Sequence, residues 1–129
     1  MSLEIERSID IEDAVREALT DYVTVYCRPL PANYAVPHIL VTQVGGSDSD
    51  KIDVFEITLD SRADNEAAAL EYLRNAVGIL KAVANTQTTA IRHVVVNSSA
   101  SWDADPVRPD LAMCTARLEI VAHIEKYTV

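Results

Sequence analysis

Residues 111 to 125 read LAMCTARLEIVAHIE, and Ala112, Cys114, Ala116, Leu118, Ile120, Ala122 and Ile124 fall on every second position. Successive side chains of a strand point to opposite faces, so this run predicts one long strand with an unbroken apolar face. A face that long must be covered by a second layer. The best candidate for the cover is residues 63 to 85, where Leu70, Leu73, Val77, Leu80 and Ala84 recur at intervals of three and four. That spacing predicts a helix with a single apolar stripe. Ala67, Ala68 and Ala69 favour helix, and Gly78 is read as a point of close approach to the sheet.

The remaining segments complete a two-layer domain. Residues 9 to 22, IDIEDAVREALTDY, place Ile11, Val15, Ala18, Leu19 and Tyr22 at helical spacing, with Ser8 or Asp10 as the cap. VTVYC is a short strand or a turn into one. RPLPANYAVP holds Pro29, Pro31 and Pro37 and reads as an ordered loop, since proline donates no ladder hydrogen bond. HILVTQV, KIDVFEITLD and AIRHVVV read as strands. Within the second of these, Ile52 and Val54 share one parity while Phe55, Ile57 and Leu59 share the other. That slip predicts either a bulge near Val54 and Phe55 or cover on both faces. The order predicts an α+β fold: a single antiparallel sheet, mixed at most, packed on one face by two helices. At 129 residues the chain is read as a single domain, 1–129, with a short flexible N-terminus at 1–8.

Charge narrows the partners. Twenty acids against eleven bases give a net charge of −9, and the bases are scattered. Duplex contact rests on Lys and Arg neutralising phosphate, so sequence-specific nucleic-acid binding is not expected. The opening MSLEIERSID has neither the basic nor the apolar part of a signal peptide, and no run reaches the ~18 apolar residues of a membrane span. A soluble protein in a cytoplasm-like compartment without a membrane partner is expected. Cys27 and Cys114 are far apart and form no CxxC pair, which points to reduced thiols.

Residues 41 to 50, VTQVGGSDSD, pose the sharpest chemical question. A phosphate-binding loop needs glycines leading into a helix with a Lys–Ser/Thr pair. Here Gly45 and Gly46 lead to Asp48, Asp50 and a strand. A calcium loop counted from Asp48 puts Asp53 where glycine belongs and Leu59 where the bidentate glutamate belongs. The stretch is therefore read as a bend between hairpin strands. His38, His93 and His123 make no HxH or HExxH spacing, although His93 and His123 on separate strands could meet in space and form half a metal site. Cys114 and His123 are nine apart on one strand, an odd offset that puts them on opposite faces. No GxSxG occurs. No catalytic, cofactor-binding or metal-ligating residue is assigned from these patterns. The loop NSSASWDADPVRPD carries the only tryptophan, Trp102, as a loop anchor or a partner contact.

The layout resembles the tail terminator, or tail-completion, proteins of long-tailed bacteriophages and prophages. The matching features span roughly residues 9 to 125: the first helix, PHILVTQVGG, IDVFEITLDSRADNEAAALEYLRNAVGIL, IRHVVV, the Asp105-Pro106 loop and CTARLEIVAHI. Arg108, Arg117 and Trp102 answer to the aromatic and basic residues that such proteins carry in the last loop and strand, although RPDLAM departs from the pattern.

The resemblance implies a structural virion protein without catalysis or cofactor. Such a protein forms a ring, typically of six copies, at the head-proximal end of the tail tube. It stops tube polymerisation and joins the tail to the capsid connector. Its partners would be itself, the tail-tube protein and the head–tail connector, and its location the virion tail after synthesis in the host cytoplasm. The loops at 28–37, 45–51 and 98–110 are then candidate contact points, and Asp48, Asp50 and Asp53 are expected to face a DNA channel. The alternatives are a head–tail connector or minor capsid component of similar fold, or a small non-catalytic ligand-binding module.

Overall fold

The computed structural model describes residues 1–49 and 51–129. The elements in chain order are β1 (Glu4–Arg7), α1 (Ile11–Leu19), β2 (Val25–Cys27), β3 (His38–Asp48), β4 (Ile52–Ala63), α2 (Glu66–Thr86), β5 (Ile91–Ala104), β6 (Ala112–His123) and β7 (Glu125–Thr128). The main sheet has the order β2-β3-β4-β6-β5. Its pairs are antiparallel except β2 with β3, which run parallel. The fold is α+β and the sheet is mixed through that one short pair. The proline-rich loop after Cys27 carries the chain back across the sheet end, the long connection that a parallel neighbour requires.

One face of the sheet holds the core. Ile39 and Val41, Phe55, Ile57 and Leu59, and Leu118 and Ile120 pack with Ile11, Val15 and Leu19 of α1 and Leu73 and Leu80 of α2. Each such side chain contributes about 1.5–3 kcal/mol on full burial. The alternation of β6 is as expected from Cys114 to Ala122, and all five inward positions are buried. Asp10 caps α1 by accepting from the Asp13 N–H at 3.1 Å, and Asn65 caps α2 by accepting from Ala68 at 2.8 Å.

Several expectations are corrected. The buried stripe of α2 is Ala69, Leu73, Ala76, Leu80 and Ala84. Its small residues let the helix lie close to the sheet, and Leu70 and Val77 are left half-buried along its flank. Gly78 marks no close approach: it is exposed, and an added Cβ would meet nothing within 4 Å. Helix α1 ends at Leu19, and Tyr22 is exposed. Residues 98–104 are not loop but the end of β5. The glycine pair is not the turn between the hairpin strands, because β3 runs through it to Asp48. The register irregularity lies in β3, between Gln43 and Gly45, while β4 pairs with β6 without a break. Ile52 is exposed, so its parity slip marks where the core ends.

A second sheet, β1 with β7, replaces the flexible N-terminus expected at 1–8. It pairs Glu4 with Thr128 through Arg7 with Glu125, and mutual Leu3–Val129 backbone bonds extend it.

Candidate functional site

The VTQVGGSDSD stretch lies in the β3–β4 ribbon. Gly46 has φ +148°, and a Cβ there would come within 2.5 Å of the Val54 carbonyl oxygen. The residue is glycine because the partner backbone passes too close for any side chain. Asp50 and the side chain of Asp48 lie outside the described residues. Asp53 does not face a channel: it is buried, on the helix-covered side of β4. Neither of its carboxylate oxygens has a hydrogen-bond partner among the described residues.

The structure separates most of the other residues singled out above. His93 and His123 lie on the outer, helix-free face, with His93 opposite Val121. Among the described residues no group of three or more metal-ligating side chains gathers. Cys114 points into the core, away from His123, and burial pushes its thiol up to about 11. Cys27 is half-buried, its thiol donates to the Glu12 carbonyl at 3.4 Å, and burial raises its pKa too. Neither has the electropositive setting of a reactive thiolate. Trp102 pairs with Cys114 on the helix side of the sheet and keeps 44% of its surface exposed. Arg117 projects from the opposite face, and Arg108 is tied to Asp110 at 2.8 Å. The three residues answering to the family's aromatic and basic positions therefore do not converge.

A buried polar cluster escaped the sequence reading. His38 and Arg62 are directly opposite each other on β3 and β4, on the outer face. The Nε of Arg62 donates to the Asp105 carboxylate at 2.7 Å. The same carboxylate accepts from the backbone of Val107 at 2.9 Å and Arg108 at 3.1 Å. Burial alone would raise Asp105, but the two backbone N–H groups and the guanidinium more than offset it, so its pKa lies below the ordinary carboxylate value. His38 is fully buried, edge-on to Tyr26 and Tyr34, with Nδ1 2.7 Å from the Ala35 carbonyl oxygen. Burial, only partly offset by that carbonyl, lowers its pKa. The cluster pins the 28–37 and 105–111 loops over one end of the outer face, where Leu40, Leu111 and Met113 are also buried. Its one sequence signal is the Asp-Pro-x-Arg turn at Asp105, which offers an acceptor to its own backbone.

Among the described residues, two apolar surfaces stand out as open. The first is a groove of about 530 Å³ between α2 and the edge strand β5, floored by Leu70, Leu73, Val77, Val96, Ala100 and Ala116. Arg74 and Lys81 stand on its rim. The second is one face of the β1–β7 ribbon, where Leu3, Tyr127 and Val129 are exposed beside the half-buried Ile5. The same face also carries Arg7, which stacks over Tyr127 at 3.6 Å and pairs with Glu125 at 2.6 Å.

No family model matches this chain, and no curated protein sequence matches it. No described helix is long and apolar enough to cross a membrane.

Proposed function

We propose that this chain is a structural assembly protein, a phage tail terminator whose copies form a ring at the head-proximal end of the tail tube. There it stops tube growth and presents the surface that joins the capsid connector. The observation that carries this reading is the pair of separate uncovered apolar surfaces on one small subunit, the α2–β5 groove and the ribbon face. Two different surfaces favour head-to-tail contact, which makes a ring when the rotation between copies closes and an open filament when it does not. The strand-to-helix order from PHILVTQVGG to CTARLEIVAHI, the basis of the resemblance, supports it further.

Light scattering across a concentration series, with negative-stain images, is the direct test, run with and without the tail-tube protein of the same phage or prophage. The expected result is a closed ring of about six copies that caps tube ends. A protein that stays monomeric under both conditions refutes the proposal. A ring that binds connector but not tube would move it to the neighbouring connector role.

The groove also favours a second reading, a non-catalytic ligand-binding module, since its ~530 Å³ falls within the rough 300–1,000 Å³ range of ligand sites. A thermal-shift screen against apolar metabolites decides it: saturable stabilisation of a monomer would replace the ring.

A further inference from the structure

We propose that His38, Arg62 and Asp105 form an acid-operated latch: protonation of His38 releases the 28–37 and 105–111 loops from the outer face and uncovers the apolar patch beneath them, while the main sheet stays folded. The latch belongs to the fold of the single chain and does not depend on the ring reading.

Its basis is the balance of donors and acceptors. His38 and Arg62 face each other across β3 and β4 and are only 0% and 9% exposed. The Nδ1 of His38 lies 2.7 Å from the Ala35 carbonyl oxygen, which can only accept. Nδ1 therefore carries the proton of the neutral ring, and Nε2 carries the lone pair. Nε2 is buried without a hydrogen-bond partner among the described residues, and so is Nη1 of Arg62. A proton arriving at Nε2 adds a second buried donor without an acceptor beside the guanidinium's own. An unpaired buried donor costs free energy, and a charged one costs more.

No neighbour is free to relieve it. The groups around His38 come from each element packed on it: Tyr26 of β2, Tyr34 of the 28–37 loop, Asp60 and Arg62 of β4, and Asp105 after β5, with Arg108 near Tyr34. The two tyrosines meet the imidazole edge-on. Asp105 already accepts three N–H groups, Asp60 accepts from the Thr115 hydroxyl at 2.6 Å, and Arg108 is bound to Asp110. Burial, joined by the Arg62 charge, favours the neutral ring over the pull of the Ala35 carbonyl and the two carboxylates.

Water relieves the charged ring, and water reaches it when the loops lift. Tyr34 and Ala35 belong to one loop, and Asp105 to the other. Leu40 and Met113, the register partners of Asp60 and Arg62, sit on the same helix-free face and are nonetheless buried. Lifting the loops leaves an apolar patch that is covered at neutral pH and open in mild acid.

Native-state amide exchange of the full chain tests the latch, followed by NMR from about pH 7.5 to about 5.5 and divided by the unstructured-chain rate at each pH. The reporters are the N–H groups of Ala35, which donates to the Tyr26 hydroxyl, of Val107 and Arg108, which donate to Asp105, and of Leu111, which donates to the Arg108 carbonyl. Their protection should fall by roughly tenfold per pH unit below about 6.5, the slope of one proton taken up on opening. It should stay at least about tenfold under that of Leu118 and Ile120 in β6 and respond only weakly to low urea, because a local opening exposes little surface. His38→Gln should abolish the slope, while the double variant His93→Gln with His123→Gln, at exposed positions, should keep it. Reporters that exchange together with Leu118 and Ile120, or that show no pH slope, overturn the latch, and so does a slope that survives His38→Gln. Should that variant not fold, the His38 ring resonances of the parent decide, and a slope that does not follow their titration overturns it equally.

Discussion

Arg62 and Asp105 show how a buried charge is tolerated at the edge of a small domain. Their side chains are only 11% and 5% exposed, and the carboxylate takes three N–H donors. Removing one partner strands the other in a poorly hydrated site, so Asp105→Ala should destabilise the fold by about 3–5 kcal/mol in urea unfolding. Replacing the pair together, as Arg62→Met with Asp105→Leu, should cost much less; an equal cost would mean that the pair does more than satisfy itself. The same cluster sets an acid response. His38 has a lowered folded pKa, so its contribution is present above the ordinary value of about 6.5 and is lost as pH falls from there through the folded value. The lowered carboxyl of Asp105 contributes above its ordinary value near 4 and is lost only below that. Stability should therefore fall in two stages, and His38→Gln should remove the upper one. An unchanged slope between pH 6.5 and 5 in that variant would locate the loss elsewhere.

At the scale of elements, the glycines give opposite tests. Gly78 sits on an exposed helix surface with open space around it, so Gly78→Ala should stabilise by roughly 0.5–1 kcal/mol through the unfolded chain. Gly46→Ala should destabilise by about 1–3 kcal/mol or more, since the new methyl meets the Val54 carbonyl in a backbone conformation closed to other residues. Thermal melts of the two variants should shift in opposite directions. These cases also mark what the sequence made legible. Alternation on β6 and the apolar spacing of α2 were plain because burial imposes a period. The phase of α2 was not, because alanines at 69 and 76 are weakly hydrophobic but fit closest to the sheet. The path of β3 through Gly45 and Gly46 was hidden because glycine signals a turn locally, whereas β3 resumes its pairing with β4 after one irregularity and runs on to Asp48. The cluster of His38, Arg62 and Asp105 was out of reach for another reason: its members are 24 and 43 positions apart, and only strand register and a folded-over loop bring them together. The terminal ribbon failed likewise, since β1 and β7 meet from opposite ends of the chain.

For the whole molecule the decisive quantity is the balance between like-charge repulsion and apolar contact. Each copy carries −9, and copies in a ring sit side by side. That repulsion acts over distances comparable to the Debye length, about 30 Å at 0.01 M salt and 8 Å at 0.15 M. The open surfaces available for contact are mainly apolar, the floor of the α2–β5 groove and one face of the terminal ribbon. Salt weakens any exposed ion pair at their rims, each worth at most about 1 kcal/mol. It also screens the net repulsion between whole subunits, which involves many more charges. Repulsion should dominate, so raising salt from 0.02 to 0.3 M should shift light-scattering profiles toward the ring. Dissociation on adding salt would mean that the copies are held by ion pairs, and would move the contact away from the apolar groove toward charged parts of the surface such as the outer sheet face, where Arg117 and Glu119 are exposed or half-buried.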